Sequence, residues 1–381
     1  MPDPHARPSR DTRLPDEFIR PATPRGLAWV VGLAVVTVAV LNVAAYGLLQ
    51  VHDPNRFRVI MGEKWELIES SEPGSLAGVG LVLGDSSANQ GLDPAVLAEA
   101  TGTRWLNLGT IADLMLLDGT WMLHRHIELH GPPSRVVLMH TWDGWSREID
   151  TRAFAQPPLS WGYWDRVEPR LPLNLVERVR MAKMRYLPLY SASTSLQQDL
   201  MFPWKVGKDR PPLTADGFMP VTVARPDRVD LDVVSGVEAL QEWANQQPRA
   251  EVATAINLDA LASVMALADE HGFPVYFVHA PAYAGLAAEP THGERVDALV
   301  ERLSALERQY PRFRVVFERP KVFPRTDMAD TTDHLLAEPA ARFTSSVAER
   351  IVELEGPAPA ARARVTVPEV LQNARSGDGL P

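Results

Sequence analysis

Leu81-Val-Leu-Gly-Asp-Ser-Ser-Ala-Asn-Gln-Gly-Leu-Asp-Pro94 decides how this chain is read. An apolar run breaks at Gly84-Asp85-Ser86, and a helix is predicted to begin near Pro94, so the stretch reads as a strand, a tight turn and a helix start. In an open α/β sheet the loops at the carboxyl ends of the strands form the ligand crevice, which places a serine on that turn where substrate would lie. Ser86 is therefore the candidate nucleophile. Its hydroxyl needs a base, and the base needs an orienting carboxylate. One late stretch offers both, Asp330-Thr-Thr-Asp-His334. Gly-Asp-Ser is also ordinary turn chemistry. Its place after a strand, together with the late Asp/His pair, favours the catalytic reading.

Outward from this stretch the pattern is regular. Strands are expected at Val79 to Leu83, Trp105 to Leu108 and Arg135 to Met139, with helices at Pro94 to Ala100 and Ala112 to Leu129 between them. The alternation resumes with a helix at Val252 to Glu270, capped by Gly272, then a strand at Val275 to Val278. A helix at Gly293 to Gln309, a strand at Phe313 to Phe317 and a last helix at Pro339 to Glu353 complete it. Such alternation indicates parallel βαβ units, so an α/β domain with a parallel three-layer sheet is expected over 79–355. From about 141 to 250 the pattern lapses into an insertion rich in Pro and aromatics: Trp142, Trp145, Trp161, Tyr163, Trp164, Tyr186, Tyr190 and Trp204. A structureless loop of that length does not belong in a compact domain, so short elements are expected there. The rings are either core or a wall of the cleft offered to sugar or acyl faces.

The chain has 381 residues, no cysteine and a net charge of −10, with a pI near 5.5. The acidic balance argues against nucleic acid as a partner. Without cysteine there are neither disulfides nor thiolate metal sites. Residues 1–25 read as a flexible cytoplasmic tail carrying Arg7, Arg10, Arg13, Arg20 and Arg25. Residues 26–51 contain no charge and exceed the ~20 needed to cross a bilayer, with Trp29 and Tyr46 near the ends. A cleaved signal peptide would have a shorter apolar region ending in a small-residue site, whereas this one runs on through Leu48, Leu49 and Val51. The arginine flank predicts a single-pass signal anchor in the cell membrane, N-terminus inside, with everything after about residue 52 outside. Residues 52–78 read as a juxtamembrane linker with a short helix, and 356–381 as a disordered tail.

The order of motifs resembles the SGNH (GDSL-type) hydrolase superfamily, with a flavodoxin-like sheet. Gly84-Asp85-Ser86 matches its first block, Asn107-Leu-Gly109 its second, and the Asp/His loop before a helix its last. The single span followed by Gly-Asp-Ser-Ser-x-x-x-Gly-Leu-Asp-Pro is similar to membrane-anchored proteins that work beside membrane-bound O-acyltransferases in modifying cell-envelope polymers. The resemblance implies Ser86 as nucleophile, His334 as general base and Asp330 as its orienting carboxylate. It implies an oxyanion hole from the backbone N–H groups of Ser86, Gly109 and Ala112. No cofactor and no metal are implied; the partners would be an envelope glycan or acyl donor and a membrane-bound O-acyltransferase. Two departures stand out. The family's Asp lies three residues before the His, a position held here by Thr331, so Asp330 and Asp333 both qualify as the third member. Its third block has an oxyanion Asn where this chain reads His140-Thr-Trp-Asp143, leaving Thr141 or Trp142 as substitute donors. Loss of such a donor costs on the order of 10²- to 10³-fold in rate. Two functions follow: acyl transfer or ester hydrolysis on an envelope polysaccharide, acetyl esters first among them, or an inactive module that binds glycan or an acyltransferase.

The remaining histidines are read more blandly. His126 and His130 are four apart on a helix, but the zinc-protease spacing is absent, so they are expected on a solvated surface along with His124. His140 and His279 follow strands and either line the cleft or are satisfied loop histidines.

Overall fold

The computed structural model describes residues 23–51, 56–110, 114–147, 174–191, 213–247 and 251–356. Ala112, the aromatic residues Trp161, Tyr163, Trp164 and Trp204, and both tails lie outside the described residues. The chain divides into two units.

The first unit holds α1 (Pro24–Val51) and, after the end of α6 (Leu175–Tyr186), the short α7 (Pro188–Ser191). Thr23 starts α1 by accepting the Gly26 N–H on its hydroxyl at 3.2 Å, and Pro24 needs no such partner at the first helical position. Pro24–Gly47, 24 residues, is long and apolar enough to cross a membrane, and its Leu, Val and Trp side chains are exposed in the isolated chain. A helix apolar on every face has no solvent-facing stripe, which separates it from the amphipathic helices of the second unit.

The second unit is built on a parallel five-stranded sheet ordered β2-β1-β3-β4-β6 among the described residues. Its strands are β1 (Gly80–Gly84), β2 (Trp105–Asn107), β3 (Arg135–His140), β4 (Val275–His279) and β6 (Phe313–Val315). A small parallel pair, β5 (Ala282–Tyr283) with β7 (Val322–Phe323), lies outside it. The chain enters at β1, moves outward to β2, and returns across β1 to β3; this reversal opens a crevice between the carboxyl ends of β1 and β3.

Both faces of the sheet are covered, which explains strands that are apolar throughout instead of alternating. Leu81, Leu83, Val136, Leu138, Val275 and Phe277 point to one face, packed with α2 (Arg56–Glu69), α5 (Leu116–His130), α9 (Ala255–His271) and α11 (Pro290–Gln309). Val82, Val137, Met139, Tyr276 and Val278 point to the other, packed with α3 (Ser86–Gly91), α4 (Pro94–Thr101) and α12 (Ala337–Glu355). The expected strands and helices recur within a few residues. Gly272 closes α9 in the left-handed region, φ 84°, its N–H donating to Ala268.

Four elements differ from expectation. A helix starts at Ser86 itself, ahead of the one at Pro94, because Asp85 caps it. Residues 56–69 are not a linker: Met61, Trp65 and Ile68 of α2 are fully buried in the core, and Nζ of Lys64, also buried, donates to the carbonyls of Asn107 and Gly217. The insertion contains a long helix, α8 (Pro226–Asn245), and a small helix α10 (Ala284–Ala287) precedes α11.

Candidate active site

Gly84 ends β1 against β3 so closely that a Cβ would fall 1.9 Å from the Met139 carbonyl oxygen. The next residue, Asp85, is fully buried and reaches two ways. One carboxylate oxygen accepts from the Ser87 N–H at 2.9 Å and the Ser87 hydroxyl at 2.5 Å, capping α3. The other accepts from the Thr141 N–H at 2.9 Å and lies 3.7 Å from Nδ1 of His140. Burial pushes Asp85 up, but His140, Ser87 and the Thr141 N–H outweigh it and hold the carboxyl well below the usual range. Asp85 thus welds the end of β1 to the end of β3 and leaves Ser86, half-buried, as the first residue of α3. The first N–H groups of a helix lack intrahelical acceptors, which is the condition for a backbone donor at Ser86.

On the same face of the sheet as α3 and α4, α12 begins just after the 325–334 segment. His334 is nearly buried, and its Nδ1 lies 2.8 Å from Asp330 Oδ1; its Nε2 lies 4.0 Å from Asp333 Oδ1. Asp330 therefore occupies the orienting position behind the ring. Asp333 accepts from the Thr331 hydroxyl at 2.5 Å and flanks the other ring nitrogen. Burial pushes Asp333 up to about 6, with His334 opposing. For His334, burial is outweighed by Asp333 and then Asp330, so the imidazole is raised to about 9.

The segment is held from outside. Asp232 on α8 accepts from both the Thr332 N–H and its hydroxyl at 2.7 Å, and the Arg225 N–H donates to Ala329. The rings of the insertion read as either core or a cleft wall; what its α8 supplies is this clamp on the histidine loop. Thr344 on α12 accepts from the Asp93 N–H at 3.1 Å, and its hydroxyl lies 3.1 Å from the Gly91 carbonyl, tying α12 to the α3–α4 corner.

The structure brings Asp330 and His334 into contact, and both Asp333 and His334 feel the charge of Asp85, next to Ser86. No hydrogen bond joins the Ser86 hydroxyl to His334 among the described residues. Two expected oxyanion donors are otherwise engaged. The Gly109 N–H donates to Asn107 Oδ1 at 2.9 Å, and a Cβ there would meet the Asn89 backbone nitrogen at 2.7 Å, so this glycine serves close packing. Asn107 is fully buried and donates to Ala88 and Leu92 carbonyls, each at 2.8 Å, which holds α3 in place. Thr141 gives its N–H to Asp85 and its hydroxyl to Asp143, at 2.8 Å, so it is no ready substitute for the missing Asn.

Sequence reasoning pointed to His140 and His279 at the cleft edge but passed over Thr110 and Asp118, which complete a polar row beside Asp85. The register pairs His140 with His279 on one face, and Thr110, whose N–H donates to the Gly84 carbonyl, flanks Asp85 on the other side. The Thr110 hydroxyl donates to Asp118, whose carboxyl burial pushes up to about 7. Burial lowers His279 to about 4, so it stays neutral near pH 7. Residue spacing alone does not reveal this row, because its members come from four separate segments. Met115, just before α5, has φ 49°, a costly conformation for a residue with a side chain.

Of the aromatic set, Trp145 is core, fully buried between His140 and Phe277. Trp142 is half-buried with its ring 5.6 Å from that of His292, and Tyr186 and Tyr190 belong to the first unit. His126 and His130 are buried, not on a solvated surface: α5 packs against both the sheet and α2, and His130 Nε2 is 2.9 Å from the Ile68 carbonyl oxygen. Burial, then His130, lowers His126 to about 4. No group of three or more His, Asp or Glu arranged to hold a metal occurs among the described residues. No protein-family model matches the chain, and no curated protein does.

Proposed function

We propose that the chain is a membrane-anchored serine acyltransferase or esterase of SGNH type, acting outside the cytoplasm on acyl esters of a cell-envelope polysaccharide. The carrying observation is the Asp330–His334 pair at 2.8 Å. It fixes the tautomer with the proton on Nδ1 and leaves Nε2 as the base.

In this reading His334 takes the Ser86 proton as Oγ attacks the acyl carbonyl. The oxyanion of the tetrahedral intermediate accepts from the Ser86 N–H, and collapse expels the sugar oxygen, which His334 protonates. A second hydroxyl, from an acceptor or water, then releases the acyl group by the same steps reversed. Hydrogen bonds between nucleophile and base are often long without substrate and tighten in the complex, so the apo geometry is compatible with this role. α1 serves as the anchor, with the arginine-rich N-terminus in the cytoplasm.

The second reading, an inactive module that binds glycan or a membrane-bound O-acyltransferase, is favoured by the engagement of Gly109 and Thr141. One experiment separates the two. The full-length protein in detergent is treated with a serine-directed fluorophosphonate; the enzyme reading expects labelling that Ser86→Ala abolishes. Unlabelled wild type, beside a labelled control esterase, decides for the binding module.

A further inference from the structure

We infer that the corner between α6 and α7 is a second membrane element, seated in the headgroup and upper acyl region of the bilayer that α1 crosses. It rests on reading α1 as a span and is independent of the proposed chemistry. Asn42 is a polar residue within the apolar Pro24–Gly47 segment, and both ends of its amide are engaged: Nδ2 donates to the Tyr186 carbonyl at 2.7 Å and Oδ1 accepts from the Leu189 N–H at 3.4 Å. Those backbone groups lie where Pro188 breaks the helix. The Tyr190 N–H turns back to Leu187, so the Tyr186 carbonyl loses its usual helical donor and Asn42 replaces it. Ala45, one turn on and on the same face, is buried, a small residue that lets backbones approach.

The depth is consistent. At 1.5 Å per residue, a span of 24 residues is roughly 36 Å long and overruns a ~30 Å hydrocarbon core by about 3 Å at each end. Asn42, about 7 Å short of Gly47, then lies roughly 5 Å inside the hydrocarbon edge, within the ~5–10 Å reached by interfacial helices. The corner carries what that level favours. Leu187 and Leu189 are exposed, as are Tyr186 and Tyr190, the last 65% exposed, and Tyr46 of α1 lies one turn above Asn42. Lys183 Nζ sits 5.6 Å from the Tyr190 ring centroid, an ammonium beside an aromatic ring as at a headgroup boundary. In water these side chains would form an unexplained apolar cluster. Because the corner is bonded to a residue inside the span, its surroundings at that height are lipid.

The chain has no cysteine, so single-cysteine variants report one position each. The full chain is reconstituted into phosphatidylethanolamine/phosphatidylglycerol vesicles with an environment-sensitive fluorophore on Leu187→Cys or Tyr190→Cys. Val35→Cys on α1 serves as the lipid reference and Val352→Cys on α12 as the aqueous one. Nitroxide lipids should quench the corner labels as they do Val35→Cys, and iodide should quench them several-fold less than Val352→Cys. Adding Asn42→Leu should raise iodide quenching at the corner several-fold; no change would overturn the role of Asn42. Corner labels quenched by iodide as fully as Val352→Cys, with Val35→Cys still in lipid, would overturn the inference alone. Protection from both quenchers would show a protein partner in place of lipid and overturn it too. An aqueous Val35→Cys would remove the span, and the inference with it.

Discussion

Asp330 Oδ1 lies 2.8 Å from Nδ1 of His334, while Asp333, the immediate neighbour in sequence, lies 4.0 Å from the opposite ring nitrogen. The two carboxylates are therefore placed differently: both raise the proton affinity of the ring, and Asp330 alone is bonded to Nδ1.

Asp330→Asn should lower fluorophosphonate labelling, or turnover of an acyl ester, by on the order of 10³- to 10⁴-fold, because the ring loses its fixed tautomer. Asp333→Asn should lower it little. Second-order rate constants for labelling of the two variants check the assignment; equal losses would refute it.

The raised imidazole has a consequence for pH. A base must be neutral, so the rate of labelling should climb with pH along a limb centred near 9. Asp333→Asn removes one of the charges that stabilise the imidazolium, and its limb should move to lower pH. Stability should run the opposite way. The folded pKa lies above the ordinary imidazole value of about 6.5, so the pair's contribution is full below that pH and is lost as pH rises through about 9. Urea titrations at a series of pH values would show it.

Asp85→Ala should destabilise the α/β unit by about 3–5 kcal/mol, since it removes a buried carboxylate that pairs with His140 and bonds three further donors. Equilibrium unfolding in urea measures this. A loss below about 1 kcal/mol, typical of an exposed pair, would show that the weld between β1 and β3 contributes little.

Trp65→Ala should cost about 3–5 kcal/mol, because the ring is fully buried against the sheet. A linker helix would tolerate the change. The same unfolding experiment distinguishes them, and a near-neutral result would return α2 to the juxtamembrane segment.

Asp232→Ala tests the clamp from the insertion. It removes the acceptor of two 2.7 Å hydrogen bonds from Thr332, so labelling of Ser86 should fall while far-UV circular dichroism stays unchanged. Activity at wild-type level would show that the histidine loop holds its shape without α8.

The amino-acid sequence by itself determined the alternation of strands and helices, the uncharged helix near the N-terminus, and the residues of the Gly84-Asp85-Ser86 turn and the Asp330–His334 loop. These are local: periodicity, glycine and proline breaks, and charge-free length act within one segment. Tertiary structure decided what depends on contacts between distant segments. Which aspartate meets the Nδ1 of His334 depends on the path of an irregular loop clamped by Asp232 from α8. Whether Gly109 can offer its N–H depends on Asn107, whose side chain was already committed to holding α3. Residues 56–69 look half-polar in isolation, yet Lys64 is buried because two carbonyls, from Asn107 and Gly217, accept its N–H groups. Asn42 is likewise only a polar interruption in an apolar run until the broken end of α6 supplies backbone partners for its amide. A polar group leaves water only where the fold brings it a partner, and no short stretch of sequence records where that partner will be.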